Sequence, residues 1–290
     1  MVKIAYSDLV EAVRQLAMDA AFELSADVSQ AIDTALKAES SPQAREYLEQ
    51  ILDNNQLAQR EKLPLCQDTG LAVLFVDQGN QVHLAPPPEN PQATLTDAIN
   101  EGIAAAYEQA YLRKSVLAEP LNERRNTGTN TPAIIHHRWV AGEELTVTFL
   151  AKGGGAENKS KLAMLTPADG REGVVDFVVD TVKSAGADAC PPFVVGVGIG
   201  GNFELAPLLA KRALLRKLTS KHPQKFYTDM ERELLEKINA LKIGPQDMGG
   251  DTTALAVLIE TAPCHIASLP VAVNIECHSH RHRSVTLGGS

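Results

Sequence analysis

The apolar positions of the first sixty residues recur at helical spacing. Leu9, Val10, Val13, Leu16 and Ala17 fall on one face of a helix that Ser7-Asp8 can cap. A second helix is predicted over residues 25–37. A third begins at Ser40-Ser41-Pro42, where proline suits the first turn, and runs to Gln59. Lys62-Leu63-Pro64 closes this block. Residues 71–77 then form a short apolar run of strand type, ended by the turn signal Gly79-Asn80. Ala85-Pro86-Pro87-Pro88 reads as a connector. A further helix is predicted over residues 94–112, with Arg113-Lys114 at its negative dipole end.

Residues 124–132 are polar, without apolar periodicity, and read as a loop. Two strand patterns follow, over 133–140 and 145–150. Ala141-Gly142 between them predicts an antiparallel hairpin. A helix over 171–184 precedes Cys190-Pro191-Pro192, which leads into a strand over 193–200. Helices over 203–218 and 229–241 come next, then strands near 253–259, 267–275 and 284–287. Consecutive strands interrupt any regular βα alternation. The predicted fold class is therefore α+β or mixed α/β, a helical N-terminal region followed by a mixed, partly antiparallel sheet with helices. With no convincing linker, residues 1–290 read as one domain: a mainly helical subdomain over 1–63 and an α/β core over 64–290.

Composition narrows the function. The chain has 290 residues, 44% of them hydrophobic, enough for a substantial core. Its 36 acidic residues exceed 27 basic ones, giving a net charge of −9, which argues against a general nucleic-acid or anionic-membrane surface. The N-terminus lacks a signal-peptide pattern and no apolar run approaches a membrane span, so a cytoplasmic protein is expected. Four cysteines are too sparse for a disulfide scaffold and read as thiols.

Cys66-Gln67-Asp68-Thr69-Gly70 puts a thiol, an amide, a carboxylate, a hydroxyl and a turn-permitting glycine side by side. Cys66, Cys190 and Cys277 each stand at a junction of loop and strand, but far apart in sequence, so no CxxC-type spacing exists. Spacing alone leaves a three-thiolate site open. Cys264 is expected to be a buried, inert thiol. Gly196-Val197-Gly198-Ile199-Gly200-Gly201 matches a dinucleotide fingerprint, yet no acidic residue follows at ribose-binding distance; close backbone packing beside Cys190 is the expected role. Residues 153–160 approach a phosphate loop, with Asn158 where its last glycine should be. Such a run can still present N–H groups to a carboxylate, with Lys152, Lys159 and Lys161 supplying positive charge. His278, His280 and His282 would share a face in an extended segment, and are expected to form a polar edge.

Together, Cys66-Gln67-Asp68-Thr69-Gly70, Asn126-Thr127-Gly128-Thr129-Asn130, Lys152-Gly153-Gly154-Gly155-Ala156-Glu157-Asn158-Lys159, Cys190-Pro191-Pro192, Ile243-Gly244-Pro245-Gln246-Asp247 and residues 265–277 carry a family likeness. The chain resembles the oxygen-sensitive class I fumarases and their tartrate-dehydratase relatives, specifically the α subunit of the two-subunit form. The resemblance covers nearly all of the chain after about residue 60. It implies a [4Fe-4S] cluster held by Cys66, Cys190 and Cys277, with one iron left without a protein ligand to act as a Lewis acid. The implied reaction is the reversible hydration of fumarate to L-malate.

By position, the resemblance makes Gln67, Arg113, Gly153, Gly154, Gly155 and Lys159 substrate-binding, and Asp68 with His265 a proton-relay pair. It further implies a small dicarboxylate substrate and a partner β subunit in an α2β2 assembly, because single-chain members continue past the position of Ser290 into a domain that completes the site. Residues 152–159 and 249–253 look more like the fumarase branch. The alternatives are an L(+)-tartrate dehydratase or mesaconate hydratase α subunit, and a non-catalytic iron–sulfur scaffold or regulator.

Overall fold

The structure is a computed structural model that describes residues 2–289. It begins with strand β1 (Val2–Ala5) and helices α1 (Tyr6–Phe22), α2 (Ala26–Ala38) and α3 (Pro42–Glu61). Strands β2 (Leu71–Gly79) and β3 (Val82–Ala85), helix α4 (Leu95–Gln109) and strands β4 (Ile134–Val140) and β5 (Glu144–Lys152) follow. Next come the single turn α5 (Gly154–Glu157), β6 (Lys161–Leu165), α6 (Gly170–Ala185) and β7 (Phe193–Gly201). The remainder is α7 (Leu205–Ala213), α8 (Lys225–Asn239), β8 (Ala254–Cys264), β9 (Leu269–Glu276) and β10 (His282–Gly288). Helices with mixed sheets make this the α+β class expected. Among the described residues, no helix is long and apolar enough to cross a membrane.

Two compact units are present. The first comprises Met1–Ser25, Leu57–Lys152 and Arg281–Ser290; the second comprises Ala26–Gln56 and Gly153–His280. The helical N-terminal stretch is thus shared out, α1 to the first unit and α2 to the second, with the residues of α3 divided at Gln56 and Leu57.

In the first unit the sheet order is β10-β5-β2-β4, and β1 pairs in parallel with β3. Helices α1 and α4 pack together over this unit's core, where Leu9, Val13, Ile99 and Ile103 meet Leu74, Val76, Val147 and Phe149. A reciprocal Thr94–Asp97 capping box starts α4. Neither Ser7 nor Asp8 caps α1; Ala5 holds the N-cap position without a side-chain bond. The hairpin foreseen at Ala141-Gly142 does not form. Strand β2 lies between β4 and β5, parallel to the first and antiparallel to the second. Apolar side chains buried along nearly all of β2 make a central position more favourable than a local hairpin around it. The connection is held instead by the Gln81 N–H, which donates to the Gly142 carbonyl at 3.1 Å, and by the Gly142 N–H, which donates to Asn80 Oδ1 at 3.1 Å.

In the second unit the order is β6-β9-β7-β8, with β7 parallel to β8 and antiparallel to β9. Val195, Val197 and Ile199 of β7 face α6 and α8 through Val175, Val178, Met230 and Leu234. Gly196 and Gly198 point to the opposite face, where a Cβ would stand 2.1 Å from the carbonyl oxygens of Ala210 and Ala206 respectively. These glycines let α7 lie directly on the strand. Close backbone packing is therefore their role, although its partner is α7 and not the Cys190 segment.

Candidate functional site

In the first unit, Cys66 to Gly70 follows α3 and enters β2. Asp68 makes a local turn, one carboxylate oxygen accepting from the Gly70 N–H at 3.1 Å. Gly70 has φ +78°, and a Cβ there would meet the Lys152 backbone at 2.9 Å, so only glycine fits. Thr69 is buried and its hydroxyl donates to the Arg113 carbonyl at 2.5 Å. That bond fastens the segment that follows α4 to the cysteine loop. The Tyr107 hydroxyl donates to the carbonyls of Thr69 and Gly70 at 2.9 and 3.1 Å, and Asn130 Nδ2 donates to the Gly70 carbonyl at 3.2 Å. Burial pushes the Tyr107 phenol up to about 12, against the opposing pull of the nearby Arg281 charge. The Cys66 thiol is half-buried and donates to Gln67 Oε1 at 3.5 Å, while Gln67 and Arg113 are exposed. This unit therefore gathers Cys66, Gln67, Asp68 and Arg113 around one turn.

In the second unit, Cys190 and Cys277 come together at one end of the sheet. Val194 of β7 pairs with Glu276 of β9, and the His278 N–H donates to the Cys190 carbonyl at 3.3 Å. Cys190 has φ +53°, a left-handed conformation uncommon for a side chain of this kind. The glycine run is at the same end. The Ser160 hydroxyl accepts from the Ile275 N–H at 3.1 Å, and a Cβ on Gly155 would meet the Asp188 carbonyl at 2.8 Å. Lys159 pairs with Asp188 at 2.6 Å, which holds that carboxyl below its usual range. Lys161, expected to add charge to the run, instead donates to Ser184 Oγ at 2.7 Å.

His265 is elsewhere. It lies exposed in the turn joining β8 to β9, its Nδ1 accepting from the Ala267 N–H at 3.1 Å. Strand β9 has 8 residues between that turn and Cys277, so at about 3.3 Å per residue roughly 25 Å separates His265 from the two cysteines.

Two smaller expectations also change. Cys264 ends β8 as an exposed thiol, because that strand outruns the sheet's covered part. His278, His280 and His282 do not share an extended face, since the backbone bends at 278–279; His280 is fully buried with Nε2 against the Leu214 carbonyl at 2.8 Å. Tyr107, Asp188 and the fully buried Arg281 were not foreseen as parts of these surroundings. Tyr107 shares the apolar face of α4 with Ile103 and reads as core from sequence; a buried phenol's need for a partner was the available signal.

All four cysteines are thiols. Among the described residues, no group of three or more His, Cys, Asp or Glu side chains is arranged around a single ion. A cluster of several irons is wider than one ion, and its ligands are cysteine thiolates.

The family model for fumarate hydratase (Fumerase) matches residues 10–286. A chain from Methanocaldococcus jannaschii, provisionally named L(+)-tartrate dehydratase subunit alpha, is 42% identical over 275 residues, spanning 93% of this chain and 94% of that one. The L(+)-tartrate dehydratase subunit alpha of Escherichia coli K12 is 30% identical over 279 residues, spanning 96% of this chain and 90% of its own. With the family model matching residues of both units and the Methanocaldococcus jannaschii relative 42% identical over 93% of the chain, the chain belongs to the fumarate hydratase (Fumerase) family.

Proposed function

We propose that this chain is the α subunit of a [4Fe-4S]-dependent hydro-lyase that interconverts fumarate and L-malate in the cytoplasm, with a β subunit in an α2β2 assembly. The family match over residues 10–286 carries this reading. Relatives named as alpha subunits support the partner chain. Both units serve the one activity.

Cys66, Cys190 and Cys277 are the ligands in this proposal. Their chemistry suits the group: three thiols outside any disulfide, with Cys190 exposed and the other two half-buried. When bound, the cluster supplies an iron without a protein ligand, a Lewis acid for substrate hydroxyl and carboxylate oxygens. The Arg113 guanidinium takes a substrate carboxylate with both arms of its fork. The Gln67 amide and the N–H groups of Gly153, Gly154 and Gly155 orient the substrate, and Lys159 adds positive charge beside its Asp188 partner.

In the dehydration direction, Asp68 receives the proton from the carbon adjoining the hydroxyl-bearing one. The C–H electron pair forms the new C=C bond as the C–O bond breaks, and the departing hydroxide takes up a proton delivered by the relay and leaves as water, so the proton gained at Asp68 balances the one given up. Gly70 fixes the Asp68 carboxylate for this through its N–H. His265 completes the relay from a second copy of the chain.

The names of the relatives favour a second reading, L(+)-tartrate as substrate, dehydrated by the same residues. Reconstituting the chain anaerobically and assaying fumarate, mesaconate and L(+)-tartrate with and without β tests both. Hydration of fumarate that depends on β supports the first reading, and turnover confined to tartrate replaces it with the second. Full activity from the α chain alone contradicts the need for β. A stable cluster indifferent to every dicarboxylate favours a scaffold or regulator.

A further inference from the structure

Cys190 is followed by two prolines, so the segment 190–192 has no backbone donor after Cys190 itself and can be held only through its carbonyls. The Cys190 carbonyl accepts from the His278 N–H. The next carbonyl, of Pro191, accepts twice from one residue: the Gln246 backbone N–H at 3.0 Å and its side-chain Nε2 at 3.1 Å. Gln246 reaches this carbonyl in a left-handed conformation, φ +53°, with Asp247 beside it at φ +61°. Two successive non-glycine residues of this kind need support from their surroundings.

The support runs back to Glu39, a buried carboxylate between α2 and α3 with 3% exposure. Both its oxygens accept from the Asp251 N–H at 2.9 Å, and it also accepts from the N–H groups of Thr252 and Ser41 at 3.1 Å. Glu39 therefore fixes the exit of the loop whose body carries Gln246. From Thr253, the chain then bonds directly to the start of β7: the Phe193 N–H donates to the Thr253 carbonyl at 2.9 Å. Every bond in this chain of contacts lies within the second unit.

We propose that Gln246 is a positioning residue for the Cys190 thiolate, gripping the Pro191 carbonyl, and that Glu39 is the buried anchor that holds the Gln246 loop in place. The importance of this clamp to the cluster rests on the proposed function; the clamp itself does not.

The test uses the full-length chain and the variants Gln246→Met, which keeps side-chain length without a donor, and Glu39→Gln. Amide hydrogen exchange on the metal-free protein is the first readout. Gln246→Met is expected to speed exchange at Cys190 and His278 by about fivefold, the population change that one lost hydrogen bond gives, with β2 of the first unit unchanged. Glu39→Gln is expected to do the same while also exposing Asp251 and Thr252. The second readout is the EPR spectrum of the anaerobically reconstituted chain, expected to shift in both variants at unchanged iron content. Unchanged exchange at Cys190 overturns the clamp, as does a uniform rise throughout the second unit or loss of folding. An effect of Glu39→Gln confined to Asp251 and Thr252 overturns the anchor role. If the parent chain takes up no cluster, the proposed function falls, and exchange on the metal-free protein still decides the clamp.

Discussion

The His278 N–H donates to the Cys190 carbonyl at 3.3 Å, joining the residues beside two cysteines that lie far apart in sequence. The antiparallel pairing of β7 with β9 brings them there. The same pairing carries His265 to the opposite end of β9 from Cys277.

That separation is testable by complementation. Asp68→Asn and His265→Asn chains, each inactive alone, are co-expressed with β. In a mixed assembly one site keeps both Asp68 and His265 when they come from different copies, so activity returns to a fraction of the parent's. Activity that stays absent in the mixed assembly contradicts a relay between copies.

Tyr107→Phe removes the donor to the Thr69 and Gly70 carbonyls. A loss of about 1–3 kcal/mol is expected, measured by urea unfolding. Because the folded phenol is raised to about 12 from an ordinary value near 10, its contribution is complete below about pH 10 and is lost as pH rises from there through 12. Spectrophotometric titration of the five tyrosines should lose one late-ionising phenol in the variant. A parent chain whose tyrosines all titrate together near 10 contradicts the burial assigned to Tyr107.

Gly196→Ala places a Cβ 2.1 Å from the Ala210 carbonyl oxygen. Forcing α7 away from β7 is expected to cost about 1–3 kcal/mol or more, read as a lower thermal midpoint. Nucleotide affinity is not expected in either form, and saturable binding of a dinucleotide by the parent would revive the fingerprint that this stretch imitates.

Much of this was legible in the sequence because it is local. The helical periods of residues 6–60, the Leu71–Gly79 run and the Cys190-Pro191-Pro192 entry to β7 each carry their own pattern. Short β1, β3 and β6 carry too little pattern to register. The Ala141-Gly142 hairpin signal was real as a turn, but β2 came between its arms, a pairing that no nearby residue announces. Cysteine, glycine and arginine stood out by chemical type. Glu39 did not stand out, and Gln246 did so only as part of the motif at residues 243–247, because each acts through backbone groups brought together only by the fold, Glu39 on Asp251 and Gln246 on Pro191.

The central claim is the three-cysteine cluster, and anaerobic iron and sulfide analysis of the reconstituted chain tests it most directly. The parent is expected to hold about four irons and four sulfides per chain. Cys66→Ser, Cys190→Ser and Cys277→Ser should each lower that content, whereas Cys264→Ser should leave it unchanged. Full iron and sulfide in any of the first three variants would remove that cysteine from the ligand set, and a parent chain without iron would contradict the account.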